Sequence, residues 1–163
     1  LQSWAMEGKL AVTDGKDGGS GHFQWERGIE TDHMDFHGAL GRGAWRLEAG
    51  PDGAELELAN GDVFRSASLD ELVRRHAGWR IPVDSLAWWV LGLVAPTDIG
   101  TKTLDDSGRL VELRQAGWVI VFDRYRSFDG IELPVRLTAS RDEARVRLAV
   151  RQWSLSHGAG DGG

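Results

Sequence analysis

Residues 44–65, AWRLEAGPDGAELELANGDVFR, decide the fold. Trp45, Leu47 and Ala49 fall on one side of an extended chain, and Arg46 and Glu48 on the other. This period of two belongs to a strand with one buried face. Pro51-Asp52-Gly53 is turn chemistry that sends the chain back, and Ala54 to Leu58 then alternates apolar residues with Glu55 and Glu57. Asn60-Gly61 is a strong two-residue hairpin signal, so Val63 to Arg65 returns once more. Three strands joined by tight turns make an antiparallel meander.

The same period extends to both sides. Met6 to Val12 reads as the first strand, and His22 to Trp25 and Thr31 to Phe36 follow around a turn at Gly28. Beyond the meander the period changes. Ser68 stands three residues before Glu71, a capping box that opens a short helix through Leu69, Leu72 and Val73 to about His76, closed near Gly78. Pro82 suits the first turn of a second helix, Val83 to Leu91, with Gly92 as its stop. Leu86 to Leu91 is apolar on nearly all sides, so this helix is predicted to be enclosed by sheet or to face a cavity. After a loop through Pro96 and Asp98, strands resume at Leu110 to Arg114, Trp118 to Tyr125, Leu133 to Ala139 and Ala144 to Leu155. Trp118 to Phe122 is apolar in both phases, which predicts a strand covered on both sides. In the last strand Val146, Leu148 and Val150 are out of phase with Trp153 and Leu155, which predicts a bulge near Arg151 or Gln152. The expected fold is mainly β with some α: a curved antiparallel sheet forming an incomplete barrel, with helices covering a hydrophobic cavity.

Composition narrows the function. The 163 residues suit a single domain, expected over residues 1–156, with a glycine-rich flexible tail over residues 157–163. A net charge of -6 provides no basic field for a phosphate backbone, so nucleic acid is not an expected partner. The chain lacks cysteine, which excludes disulfides, thiolate metal sites and cysteine catalysis. It contains eight tryptophans but a single tyrosine. Indole rings supply large apolar area, and this many of them fit a pocket for a greasy ligand.

Catalytic patterns are weak. His33 and His37 share one strand face, which leaves a metal a slim chance, but no histidines show zinc spacing and surface histidines are the better reading. Asp105-Asp106 resembles a carboxylate pair, yet Asp-Asp-Ser-Gly between strands is ordinary turn chemistry. Gly38, Gly41 and Gly43 resemble a phosphate loop, but no helix and no Gly-Lys-Ser/Thr follows them. Ser66, Ser85 and Ser127 lack a nucleophile-elbow context. No cofactor, metal or enzymatic activity is expected. Leu40 stands alone among small residues between two strands: it either folds back on the core or forms a protruding apolar tip that touches a membrane.

Several segments together resemble the LolB family, the outer-membrane lipoprotein receptors of Gram-negative bacteria. They are Gly8-Lys9-Leu10-Ala11-Val12, Phe23-Gln24-Trp25, Gly38-Ala39-Leu40-Gly41-Arg42-Gly43 and Gly78-Trp79-Arg80-Ile81-Pro82-Val83 with Leu86, Trp89 and Gly92-Leu93. Gly117-Trp118, Tyr125, Leu133-Pro134 and Trp153 complete the set, which spans nearly the whole chain. The resemblance implies a receptor that accepts acylated lipoproteins from a LolA-like periplasmic carrier and inserts them into outer-membrane lipid without nucleotide. It also implies a monomer on the periplasmic face, anchored through a lipid-modified N-terminal cysteine. This chain has no such cysteine and starts at Leu1, so it is expected to be a soluble portion beginning after the anchor. Leu40 matches the family's exposed loop leucine, here in Ala-Leu-Gly where the family often has Pro-Leu-Gly. Trp25, Phe36, Trp45, Leu47, Trp88, Leu91, Trp118, Ile120 and Phe122 are expected to line the acyl-chain cavity. A soluble LolA-like carrier and a generic barrel for hydrophobic ligands are the alternatives, with an enzyme using Asp105 and Asp106 behind them.

Overall fold

The computed structural model describes residues 3–14, 17–38, 43–77, 82–96 and 98–156. The expected meander is present. Strands β1 (Ser3–Asp14), β2 (Asp17–Arg27), β3 (Asp32–Gly38), β4 (Trp45–Gly50), β5 (Gly53–Leu58) and β6 (Val63–Ser66) pair in succession, each antiparallel to the last. A second meander follows the helices: β7 (Gly100–Leu104), β8 (Leu110–Gln115), β9 (Trp118–Phe128), β10 (Ile131–Arg141) and β11 (Ala144–Ser156). The first and last strands join the two meanders, with register running from Ser3↔Ser156 to Asp14↔Ala144. The result is one 11-stranded sheet in the order β6-β5-β4-β3-β2-β1-β11-β10-β9-β8-β7. It is an open, incomplete barrel, because its edges β6 and β7 do not pair with each other.

The turns are those the sequence specifies. Asn60 Oδ1 accepts the Asp62 N–H at 2.9 Å and Gly61 adopts φ +93°, which turns β5 into β6. Asp105 Oδ1 accepts the backbone N–H groups of Ser107 (2.8 Å) and Arg109 (3.0 Å), with Gly108 at φ +84°, so Asp105-Asp106 lies in a turn. The bulge is also where the phase change puts it. Glu7 pairs with Gln152 and Gly8 with Val150, which leaves Arg151 as the extra residue. A side chain at position 8 would meet Ala149 O at 2.1 Å, so glycine is what allows β11 this close at the bulge.

Between the meanders lie α1 (Leu69–Leu72), continued by a wider π-helical turn over Val73–Ala77, and α2 (Val83–Trp89). The Ser68 cap is present: its hydroxyl accepts the Glu71 N–H at 3.3 Å. Asp70 ties the helices together, because its Oδ1 accepts the Val83 N–H at the first turn of α2, 2.6 Å away. Burial pushes the Asp70 carboxyl above its ordinary range, against the opposing pull of that bond. Leu69, Leu72, Val73, Val83, Leu86, Ala87, Trp89 and Val90 join one core cluster with the inward-facing residues of the sheet.

Two expectations are corrected. The second helix is not enclosed on every side, since Trp89 is fully buried while Trp88 is 40% exposed. Successive helical residues point about 100° apart, so neighbouring indoles cannot share one face. Strand β9 is likewise covered on one side only: Trp118, Ile120 and Phe122 are buried, but Val121 is exposed. The apolar residues of its outer phase express strand preference rather than burial. One strand had no counterpart in the sequence reading. Gly100–Leu104 forms the edge strand β7, exposed along almost its whole length.

Candidate functional site

The candidate site is the inward face of the curved sheet together with the helices packed on it. Strands β2, β3 and β4 contribute Trp25, Phe36, Trp45 and Leu47 through strict alternation. Register places these residues side by side: Phe23↔Phe36, Trp25↔Met34, Met34↔Leu47 and Phe36↔Trp45. On the far side of the curve, β9 contributes Trp118, Ile120 and Phe122. Seven of the nine expected cavity residues are therefore buried in one cluster, and Leu91 is partly buried against it. Trp88 is the exception, half exposed at the edge of α2.

The rings are arranged as a packed layer. Trp25 meets Trp4 edge-on at 5.0 Å between centroids and Phe23 at 6.1 Å, while Trp4 meets Trp153 at 5.3 Å. Phe36 and Trp45 stack at 5.7 Å with planes 23° apart. Buried indole N–H groups need acceptors, and three here have them. Trp25 Nε1 donates to Asp32 Oδ1 (2.9 Å), Trp153 Nε1 to Pro134 O (3.0 Å) and Trp89 Nε1 to Gln115 Oε1 (2.8 Å).

Gln115 is a site residue that the sequence reading missed. It is the buried polar side chain of the core, 3% exposed. Its Oε1 accepts from both Trp89 Nε1 and the Ala95 N–H (3.0 Å), and its Nε2 donates to the carbonyls of Ala95 (2.7 Å) and Asp98 (2.8 Å). All four hydrogen-bonding positions of the amide are used. One side chain at the end of β8 thus clips both α2 and the segment after it to the sheet. The available signal was phase: Gln115 is two residues after inward-facing Leu113, where an apolar residue is the norm.

Among the described residues, the rest of the buried interior carries no charge. The buried residues are otherwise apolar, so the site can supply area and dispersion but little direction. The polar groups weighed in the sequence stand elsewhere. Asp105 is half-buried in a surface turn; the Arg109 backbone N–H, then the Arg109 side chain and the Ser107 N–H, hold its carboxyl below the ordinary range. His33 and His37 share the outward face of β3, where His33 lies 2.9 Å from Asp35 Oδ2 and 3.2 Å from Glu48 Oε1. Among the described residues no group of three or more His, Asp or Glu is placed to hold a metal. Leu40, Gly41 and the 157–163 tail lie outside the described residues.

Tyr125 marks the rim of the site. Its hydroxyl donates to Leu110 O at 2.6 Å, and burial raises it to about 12. Gly92 ends α2 against it at φ +75°; a side chain there would meet Tyr125 Oη at 3.1 Å and the Pro134 ring at 3.3 Å.

A curved sheet with this interior has relatives. Two solved structures share the fold. A domain described as an outer membrane lipoprotein-sorting protein from Vibrio parahaemolyticus superposes with a TM-score of 0.60 at 9% identity, over 98% of this chain and 87% of its own. A DUF1329 family protein from Desulfovibrio piger gives 0.56 at 8% identity, over 98% and 88%. Sequence relatives are more specific. The outer-membrane lipoprotein LolB of Pseudomonas fluorescens is 37% identical over 94% of this chain and 75% of its own length. That of Alkalilimnicola ehrlichii is also 37% identical, over 94% and 77%. The family model described as outer membrane lipoprotein LolB matches residues 2–153. The resemblance read in the sequence is borne out, and the chain belongs to the LolB family of outer-membrane lipoproteins.

Proposed function

We propose that this protein is an outer-membrane lipoprotein receptor: it takes acylated lipoproteins from a periplasmic carrier and releases them into outer-membrane lipid. The observation that carries the reading is the interior. Among the described residues, an apolar face of rings and leucines with one buried amide, Gln115, matches an acyl chain in chemistry. Burying a chain of about 15 methylenes is worth on the order of 10 kcal/mol at about 0.8 each, so such cargo does not cross water unescorted. Non-directional contacts suit handover, because each step needs only a somewhat better apolar environment than the one before. No covalent step and no nucleotide enter this scheme.

In this reading Trp25, Phe36, Trp45, Leu47, Leu91, Trp118, Ile120 and Phe122 form the walls between which acyl chains lie. Cargo enters as α2 lifts from the sheet. Trp88 and Leu93, 40% and 47% exposed around the end of α2, offer the first apolar surface that a chain meets. The protein works as a monomer at the periplasmic face of the outer membrane, held by a lipid anchor outside this chain, and Leu40 is the apolar tip that enters the bilayer.

The test is a transfer assay without nucleotide. A purified carrier loaded with one lipoprotein is mixed with this protein, the two are separated, and the lipoprotein is located. Movement onto this protein is expected. Retention on the carrier, with the fold intact and a fluorescent fatty acid still bound, would reduce it to a generic lipid-binding barrel. Leu40→Glu is expected to accept cargo normally but to deliver it poorly to vesicles, because it charges the tip and removes nothing from the core.

A further inference from the structure

The outer face of the sheet carries a second surface that the receptor reading does not use. Register aligns Arg136, Ala149, Lys9, His22 and His37 in one row across β10, β11, β1, β2 and β3. The next row holds Thr138, Arg147, Ala11 and Ser20. Cross-strand partners share a face, so all nine project outward, opposite the buried Leu10, Leu137 and Leu148. Small residues form the floor and long cationic ones the walls of a groove of about 580 Å³. Asp123 is the single carboxylate on its lining, against the fixed charges of Lys9, Arg136 and Arg147.

The chain carries a net charge of -6, and several of its arginines sit beside acids: Arg27 on Asp32, Arg46 on Asp35, Arg65 on Glu55, Arg75 on Glu71, Arg109 on Asp105 and Glu132, Arg114 on Glu112. Lys9, Arg136 and Arg147 have no ion pair among the described residues. Lys9 and Arg136 are two strands apart, about 10 Å at the backbone, so both can reach a single anion seated over Ala149.

We propose that this groove binds the phosphate of phospholipid headgroups and holds the outer face of the sheet against the membrane surface. Charge complementarity selects an anion, and placement selects the lipid. His37 on the groove wall is three residues from Leu40 in sequence, about 10 Å of chain at most, so the receptor reading, in which Leu40 enters the bilayer, brings the groove to the same interface. An acidic protein partner would meet the same charges but would gain nothing from that proximity. The proposal rests on the receptor reading for its purpose, and its chemistry is tested separately.

The experiment is co-sedimentation with phosphatidylcholine vesicles, with and without phosphatidylglycerol, at low and high salt. The intact protein is expected to bind the phosphatidylglycerol vesicles more tightly, and salt should erase the difference. Arg136→Gln with Arg147→Gln should weaken that binding by about 25-fold, roughly fivefold per cation removed. The corresponding double lysine variant should restore most of it, which separates charge from misfolding. Inorganic phosphate should compete no better than chloride at equal ionic strength. Equal binding to both vesicle types, an unaffected double glutamine variant, displacement by micromolar phosphate, or tighter binding of polyglutamate than of vesicles would each overturn the proposal. Cargo acceptance from the carrier is the independent readout: the groove variants keep it, whereas its loss in the unmodified protein defeats the receptor reading and leaves the vesicle result standing.

Discussion

The two faces of the central strands differ by one residue of phase and by almost everything else. Inward, Leu137, Leu148 and Leu10 stand in one cross-strand row, nearly sealed from water. One position along, outward, the row reads Arg136, Ala149 and Lys9. A slip of one residue in pairing would exchange them, so register alone keeps the apolar surface on one side and the cationic surface on the other. The lesson is that one sheet can meet both parts of an amphipathic partner without a second domain. It also separates the tryptophans: those facing inward pack in the core, whereas Trp88 stands outside the cluster, 40% exposed.

The comparison can be broken most forcefully from the inside. Trp25→Ala removes a fully buried ring packed on Trp4 and Phe23 and should cost about 3–5 kcal/mol in urea unfolding. Exposed Arg136→Gln and Arg147→Gln should each stay within about 0.5 kcal/mol. Comparable losses from the two faces would refute the division. Next in size is Gln115→Ala, which strands the Trp89 indole N–H and the Ala95 backbone groups and should cost about 2–3 kcal/mol. Because Gln115 clips α2 to the sheet, this variant should also speed uptake of a fluorescent fatty acid; slower uptake would argue against α2 as the moving part.

Smaller effects sharpen the boundary. Asp70→Ala leaves the Val83 N–H without its acceptor and should cost about 1 kcal/mol. Asp70→Asn keeps an acceptor and drops the charge that burial disfavours, so it should match or slightly exceed the parent at neutral pH. The sign follows from the raised carboxyl. Asp70 favours the fold in its protonated form, so any advantage of asparagine should shrink as pH falls below the Asp70 titration, and a widening gap would contradict the buried-carboxylate account. Smallest is the titration of Tyr125 at the rim. As the chain's single tyrosine it gives a clean tyrosinate absorbance, expected near about 12. Stability should decline as pH rises from about 10, where the unfolded chain ionises, toward that value. An inflection at the ordinary value would mean that the rim is open to water.

What could be read from the sequence follows from where the information is stored. Alternation and turn residues are local, so Trp45 to Leu58, the Asn60-Gly61 hairpin and the Arg151 bulge were all visible. Strand β7 was not, because at the sheet edge Thr101, Lys102, Thr103 and Leu104 bury too little to leave an alternating pattern. Val121 and Trp88 misled for the converse reason: apolar character does not by itself mean burial. The resemblance to the LolB family came from scattered residues in a fixed order, and the comparisons sustain it. Gln115 was hidden because its partners are the Trp89 indole and the backbone of Ala95 and Asp98. The outer groove was harder still, since Lys9, His22, His37, Arg136 and Arg147 become neighbours only once β1 and β11 pair.

The most direct measurement exploits the same one-residue offset. A photoreactive p-benzoylphenylalanine is placed at Phe122, which faces inward, and in a second protein at Val121, which faces out on the same strand. Each is irradiated after transfer of a lipoprotein with radiolabelled acyl chains. Label crosslinked from position 122 and not from 121 is the predicted result. Label from 121 alone, or equally from both, would contradict an interior acyl-chain site.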